Sequence, residues 1–124
     1  MPAVRFPVEM VQGVPVMAVP EEIDVTCATG LRAALLEAAA QSRGTLVADM
    51  TRTRFCDSAG LHALVGAHRQ AEAEGGELLL VVVEATIARV FAITGLDHVI
   101  PTFTNLEEAL AYAYAEPIYA QPPT

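Results

Sequence analysis

Two short apolar runs constrain what this chain can fold into. Residues 45–50 (Thr-Leu-Val-Ala-Asp-Met) and 77–83 (Glu-Leu-Leu-Leu-Val-Val-Val) are rich in aliphatic and β-branched side chains and are bounded by chain breakers. The first fits a central strand covered on both faces, and the second is the least ambiguous strand in the sequence. After each run the apolar period changes to that of a helix. Leu61, Leu64, Val65 and His68 fall at i, i+3, i+4 and i+7, and so do Ile87, Val90, Phe91 and Thr94. A strand followed by a helix, twice over, implies a mostly parallel sheet with right-handed crossovers.

The rest of the chain extends this pattern. Residues 7–13 read as a short strand with Gly13 as the turn, and residues 14–19 as a second. Pro15 suggests an edge strand or a first strand position. Residues 20–24 read as a loop, with Thr26 or Asp24 capping a helix that carries Leu31, Ala34, Leu35 and Ala38 on one face. Gly44 is expected as its C-cap. The helix from Ser58 runs to about Ala73, stopped by Gly75-Gly76, and the next ends at Gly95. His98-Val99-Ile100 reads as a short last strand closed by Pro101. Thr104 or Asn105 caps a fourth helix, and Thr104 with Glu107 matches a capping box. The expected order is β-β-α-β-α-β-α-β-α: a single α/β domain, residues 1–124, with four or five strands, an antiparallel edge strand and four helices. Its core spans about 8–115, and the proline-rich tail 117–124 is expected to fray.

Composition narrows the function. With 53% hydrophobic residues, one domain can bury a core without metal or disulfides. The net charge of −8, with arginine as the basic residue throughout and lysine absent, argues against nucleic acid and anionic membranes and for a basic protein partner, or none. Cys27 and Cys56 form no paired motif and read as free thiols of a reducing cytoplasm. The first residues lack a signal peptide's apolar region, and no stretch has the ~18 apolar residues of a membrane span. His62, His68 and His98 show no metal-ligand spacing and read as helix packing or surface. No cofactor is implied.

Asp57 and Ser58 sit where a loop leaves the first apolar run and enters a helix. Either side chain can accept from a free N–H of the first turn, and the helix start favours an anion. On the residues alone, Ser58 reads as a helix-start hydroxyl worth ~0.5–2 kcal/mol. Asp57 reads as an N-cap, and Glu22 and Asp24 as a solvated acidic loop. Gly60 leaves room for a partner's backbone. Arg52 and Arg54 flank the corner in a solvated loop.

Four stretches resemble the STAS domain, the module named for sulphate transporters and anti-sigma factor antagonists, and above all the small free-standing antagonists of bacteria. They are Glu22-Ile23-Asp24, the stretch from Asp49 through Asp57-Ser58-Ala59-Gly60, Gly75-Gly76, and Thr94-Gly95-Leu96. The resemblance covers about residues 8–115. It implies an anti-sigma factor antagonist that is not an enzyme. Unphosphorylated, it binds an anti-sigma factor that is also a serine kinase and so frees the sigma factor; phosphorylation of Ser58 ends binding, and a serine phosphatase reverses it. Asp57, Ala59, Gly60, Asp24 and Glu22 inherit partner contacts. Two residues depart from the family pattern: Glu21 stands where glycine is preferred, and Ala59 replaces a common second hydroxyl. The alternative is a STAS scaffold or regulatory subunit of a larger assembly with a non-sigma partner.

Other classes fail on missing residues. A response-regulator receiver needs an acidic pair after its first strand and a late lysine. A P-loop needs Gly-Lys-Ser/Thr. Asp57-Ser58-Ala59-Gly60 is not the Gly-x-Ser-x-Gly elbow of a serine hydrolase.

Overall fold

The computed structural model describes residues 6–42 and 44–115. In chain order the elements are β1 (Val8–Val11), β2 (Val14–Ala18), β3 (Glu22–Ile23), α1 (Ala28–Ala40), β4 (Leu46–Asp49), β5 (Phe55–Cys56), α2 (Ser58–Ala73), β6 (Leu78–Val81), α3 (Ala85–Thr94), β7 (Thr102–Phe103) and α4 (Leu106–Ala115). Five strands form one sheet in the order β1-β2-β4-β6-β7. The pair β1–β2 is antiparallel and the other pairs are parallel. The antiparallel strand lies at an edge, as expected. The tail 117–124 lies outside the described residues.

Strand alternation divides the core in two. Leu46, Ala48, Leu78 and Leu80 face Leu31 and Leu35 of α1, Leu64 and Ala67 of α2, and Ile87 and Phe91 of α3. Val47, Leu79 and Val81 face the other way, onto Ala109, Leu110 and Ala113 of α4. Leu46, Val47 and Ala48 are fully buried, so the 45–50 run is indeed covered on both faces.

The opening hairpin turns through Gln12 (φ 54) and Gly13 (φ 87), the left-handed pair that suits the twist of a two-residue loop. Pro15 is the second residue of β2, which is an inner strand rather than an edge. The ladder to β4 begins only at Val16, so the proline nitrogen lies outside it. Gly76 explains the Gly-Gly pair before β6. A Cβ there would stand 2.1 Å from the carbonyl carbon of Gly44, so two backbones touch at this point.

Local structure departs from the expectation in several places. Residues 20–24 are not all loop, because Glu22–Ile23 forms a strand with Phe55–Cys56 in a separate two-stranded parallel sheet. Cys27 is the N-cap of α1; the Asp24 carboxylate is taken by Thr26, two residues on, and caps no helix. Gln41, not Gly44, is the C-cap of α1; Gly44, at φ 90, closes the following turn with its N–H on Ala39 O. The last strand is Thr102–Phe103, not residues 98–100. Gly95 reverses the chain at φ 79, Leu96–His98 forms a 3-10 turn, and Ile100 plugs the core from that turn. Pairing with β6 starts after this turn, with Leu80 N–H on Pro101 O. At α4, Asn105 Oδ1 accepts from Glu108 N–H at 2.9 Å. Asn105 is therefore the capping residue, and the Thr104–Glu107 capping box does not form.

Thr45 is 1% exposed, and its hydroxyl has no hydrogen-bond partner among the described residues. Thr45→Val should therefore raise stability by about 1 kcal/mol, read as a higher urea midpoint with an unchanged slope. Gly76→Ala should lower it by about 2 kcal/mol or more, because the clash is with backbone.

Candidate functional site

The small sheet of β3 and β5 builds the site. Arg54 N–H donates to Glu21 O at 2.7 Å, and Asp57 N–H to Ile23 O at 3.0 Å. These bonds bring the acidic stretch 21–24 against the corner 54–58. The intervening loop is pinned as well. Thr51 N–H donates to Asp49 Oδ1 at 3.0 Å. Thr53, fully buried, donates its hydroxyl to Pro20 O at 2.9 Å. The corner is thereby held from both sides before any partner arrives.

Asp57 is the N-cap of α2, with extended backbone (φ −90, ψ −174), and its Oδ1 accepts from Gly60 N–H at 3.0 Å. Its carbonyl accepts from Leu61 N–H at 3.0 Å. Of the four N–H groups that open a helix, those of Ser58 and Ala59 are left without an intrahelical partner. Ser58 is the first helical residue and is exposed; its hydroxyl has no partner among the described residues. Ala59 is half-buried and lines a groove of about 270 Å³ with Val25, Ala28, Thr29, Arg32, His62 and Ala63.

Gly60 is buried, and its missing side chain faces inward rather than toward a partner. A Cβ there would meet Cys56 Sγ at 2.7 Å and Ile23 Cγ2 at 2.8 Å. The room it leaves is used to seat α2 on the β3–β5 sheet. Asp24 is partly exposed, and the Thr26 hydroxyl and N–H hold its carboxyl below the usual carboxylate range. Glu22 is exposed and stands in register with Phe55. Arg52 lies 3.9 Å from Glu21, with both side chains largely in solvent; such a pair contributes little. Arg54 is also exposed.

Cys56 is buried beneath the corner. Desolvation, with smaller contributions from the charge of Asp57 and from Cys27, pushes its thiol up to about 12. Both cysteines are free. Of the histidines, His62 and His98 are exposed, whereas His68 is buried and accepts from Leu78 N–H at 3.3 Å. That bond ties α2 to the start of β6. Among the described residues no three His, Cys, Asp or Glu side chains cluster as a metal site, and no helix is long and apolar enough to cross a membrane.

The structure thus brings Glu22, Asp24, Asp57, Ser58 and Ala59 to one end of the sheet. Sequence reasoning missed Phe55, Val25 and Arg32. Phe55 and Val25 are apolar residues with no period to mark them as exposed. Arg32 lies over Gly66 of the neighbouring helix, 3.0 Å from where a Cβ would be, and only the packing of α1 on α2 reveals it.

The model of one family, the STAS domain, matches residues 5–109. The chain belongs to the STAS domain family. Solved structures agree. An anti-sigma factor antagonist from Mycobacterium paratuberculosis is 31% identical, with 88% of this chain and 92% of that one covered and a TM-score of 0.78. The anti-sigma factor antagonist SpoIIAA in its unphosphorylated form is 27% identical over 90% of this chain and 97% of that one, with a TM-score of 0.73; a phosphorylated form of SpoIIAA from Bacillus is also similar. The murine anion transporter Slc26a9 shares the fold at 20% identity and a TM-score of 0.69, over 86% of this chain but 18% of its own.

Two outcomes check the site's construction in this STAS domain. Native protein at pH 8 should take up iodoacetamide at Cys56 far more slowly than unfolded protein, since the thiolate is the reactive form. Gly60→Ala should destabilise by about 1–3 kcal/mol in urea unfolding, because Ile23 and Cys56 have to move.

Proposed function

We propose that this STAS domain is an anti-sigma factor antagonist working by partner switching in the cytoplasm. Unmodified, it binds an anti-sigma factor that is also a serine kinase, and the sigma factor is released. Phosphate on Ser58 ends binding, and a serine phosphatase restores it. Glu22 and Asp24 contact the partner, Asp57 frames the acceptor, and Ala59 with Gly60 shapes the helix start beneath it.

The observation that carries this reading is the position of Ser58. Its hydroxyl is exposed on the first residue of α2, beside a capping Asp57 and across from the acidic stretch of β3. The 27–31% identical antagonists that share the fold support it. A phosphate there adds about −1.5 to −2 charge and three acceptor oxygens. The helix start stabilises it by ~0.3–1 kcal/mol in the free protein, so the modified domain stays folded. In a complex the dianion loses its water or meets partner charges. One like charge at ~5 Å and an effective dielectric near 20 costs about 3 kcal/mol, which is roughly a hundredfold in affinity. Release therefore needs no refolding.

Incubation with candidate kinases and ATP should add one phosphate mass to the intact protein and none to Ser58→Ala. Ser58→Asp should bind the same kinase about a hundredfold more weakly than Ser58→Ala. Equal binding of the two variants would contradict the switch, and a large assembly indifferent to Ser58 on size exclusion would favour the scaffold role.

A further inference from the structure

Two apolar side chains at the β3–β5 end of the domain are left open to solvent. Phe55 is 50% exposed and Val25 is 73% exposed. The position of Phe55 follows from the β3–β5 pairing. Ile23 and Cys56 are register partners and are buried, so alternation turns the preceding pair, Glu22 and Phe55, outward. Val25 leaves β3 just beyond Asp24 and shares a groove wall with Ala59, the residue after Ser58. The same stretches carry Glu21, Glu22, Asp24 and Asp57 against Arg52 and Arg54, with Arg32 on the groove wall beside Val25, on a chain of net charge −8.

We propose that Phe55 and Val25 are the apolar anchors of the docking surface, and that the partner presents an apolar centre rimmed by arginine or lysine. The proposal rests on the partner-switching reading and names the chemistry of that partner. It also supplies a sign that charge alone does not. A basic rim by itself would hold the phosphorylated domain more tightly. Between Phe55 and Val25, contact with the partner excludes water, and a dianion stripped of water without a paired cation is strongly disfavoured. The anchors therefore turn the modification from an attraction into a release. The rim charges, exposed and screened beyond about 8–10 Å, govern encounter rate and specificity more than final affinity.

The probe is the serine kinase that modifies Ser58 in the mass assay. Phe55→Ala and Val25→Ala should each weaken its binding to the unmodified domain by about tenfold or more, with the melting temperature little changed because both side chains are largely exposed. The affinity ratio between Ser58→Ala and Ser58→Asp should shrink when Phe55→Ala is added to both. Full affinity in both anchor variants would overturn the proposal and leave Ser58 switching intact. Weakened binding with an unchanged ratio would keep the anchors but overturn their part in release. If Ser58→Asp binds normally while Phe55→Ala does not, the switch fails and the docking surface stands.

Discussion

The pairing of Ile23 with Cys56 is the contact on which the functional end of this domain depends. It joins two stretches that lie far apart in sequence, through a strand of two residues on each side. The five-stranded sheet supplies a rigid base, but it does not by itself place the acidic stretch beside the helix corner. That juxtaposition comes from backbone bonds between residues 21–23 and 54–57, reinforced by Thr53 on Pro20. Gly60 completes the arrangement, because a larger residue would push α2 off the paired strands.

The family's recurrent residues acquire physical reasons here. Asp57 satisfies an orphan N–H of α2. Gly76 lets two backbones touch where α2 returns to the sheet. Gly95 takes the left-handed conformation that ends α3, and Leu96 immediately buries beneath it. The departures are equally interpretable. Glu21 accepts the Arg54 and Phe55 N–H groups through its backbone carbonyl, a role open to any residue, while its side chain extends into solvent. Ala59 leaves Ser58 as the sole hydroxyl of the Asp-Ser-Ala-Gly corner.

The long elements were legible in the sequence because their burial has a period. Leu61, Leu64, Val65 and His68, or the aliphatic run at 78–81, repeat often enough to declare a helix face or a covered strand. The short elements were not legible. A two-residue strand cannot display alternation, so β3, β5 and β7 left no pattern. Residues 98–100 resemble a strand in sequence for a related reason: Ile100 is buried, but it reaches the core from a turn rather than from a ladder. At the site, the polar residues declared themselves through helix-cap chemistry and through resemblance. Phe55 and Val25 did not, since nothing in an apolar letter tells whether it faces inward or out.

The Cys56 thiol lies directly under the serine corner, yet burial and the neighbouring carboxylate keep it protonated. A sulfur held in that form is a poor target for peroxides and electrophiles. The corner is thereby kept clear of thiolate chemistry at the sulfur that packs beneath it.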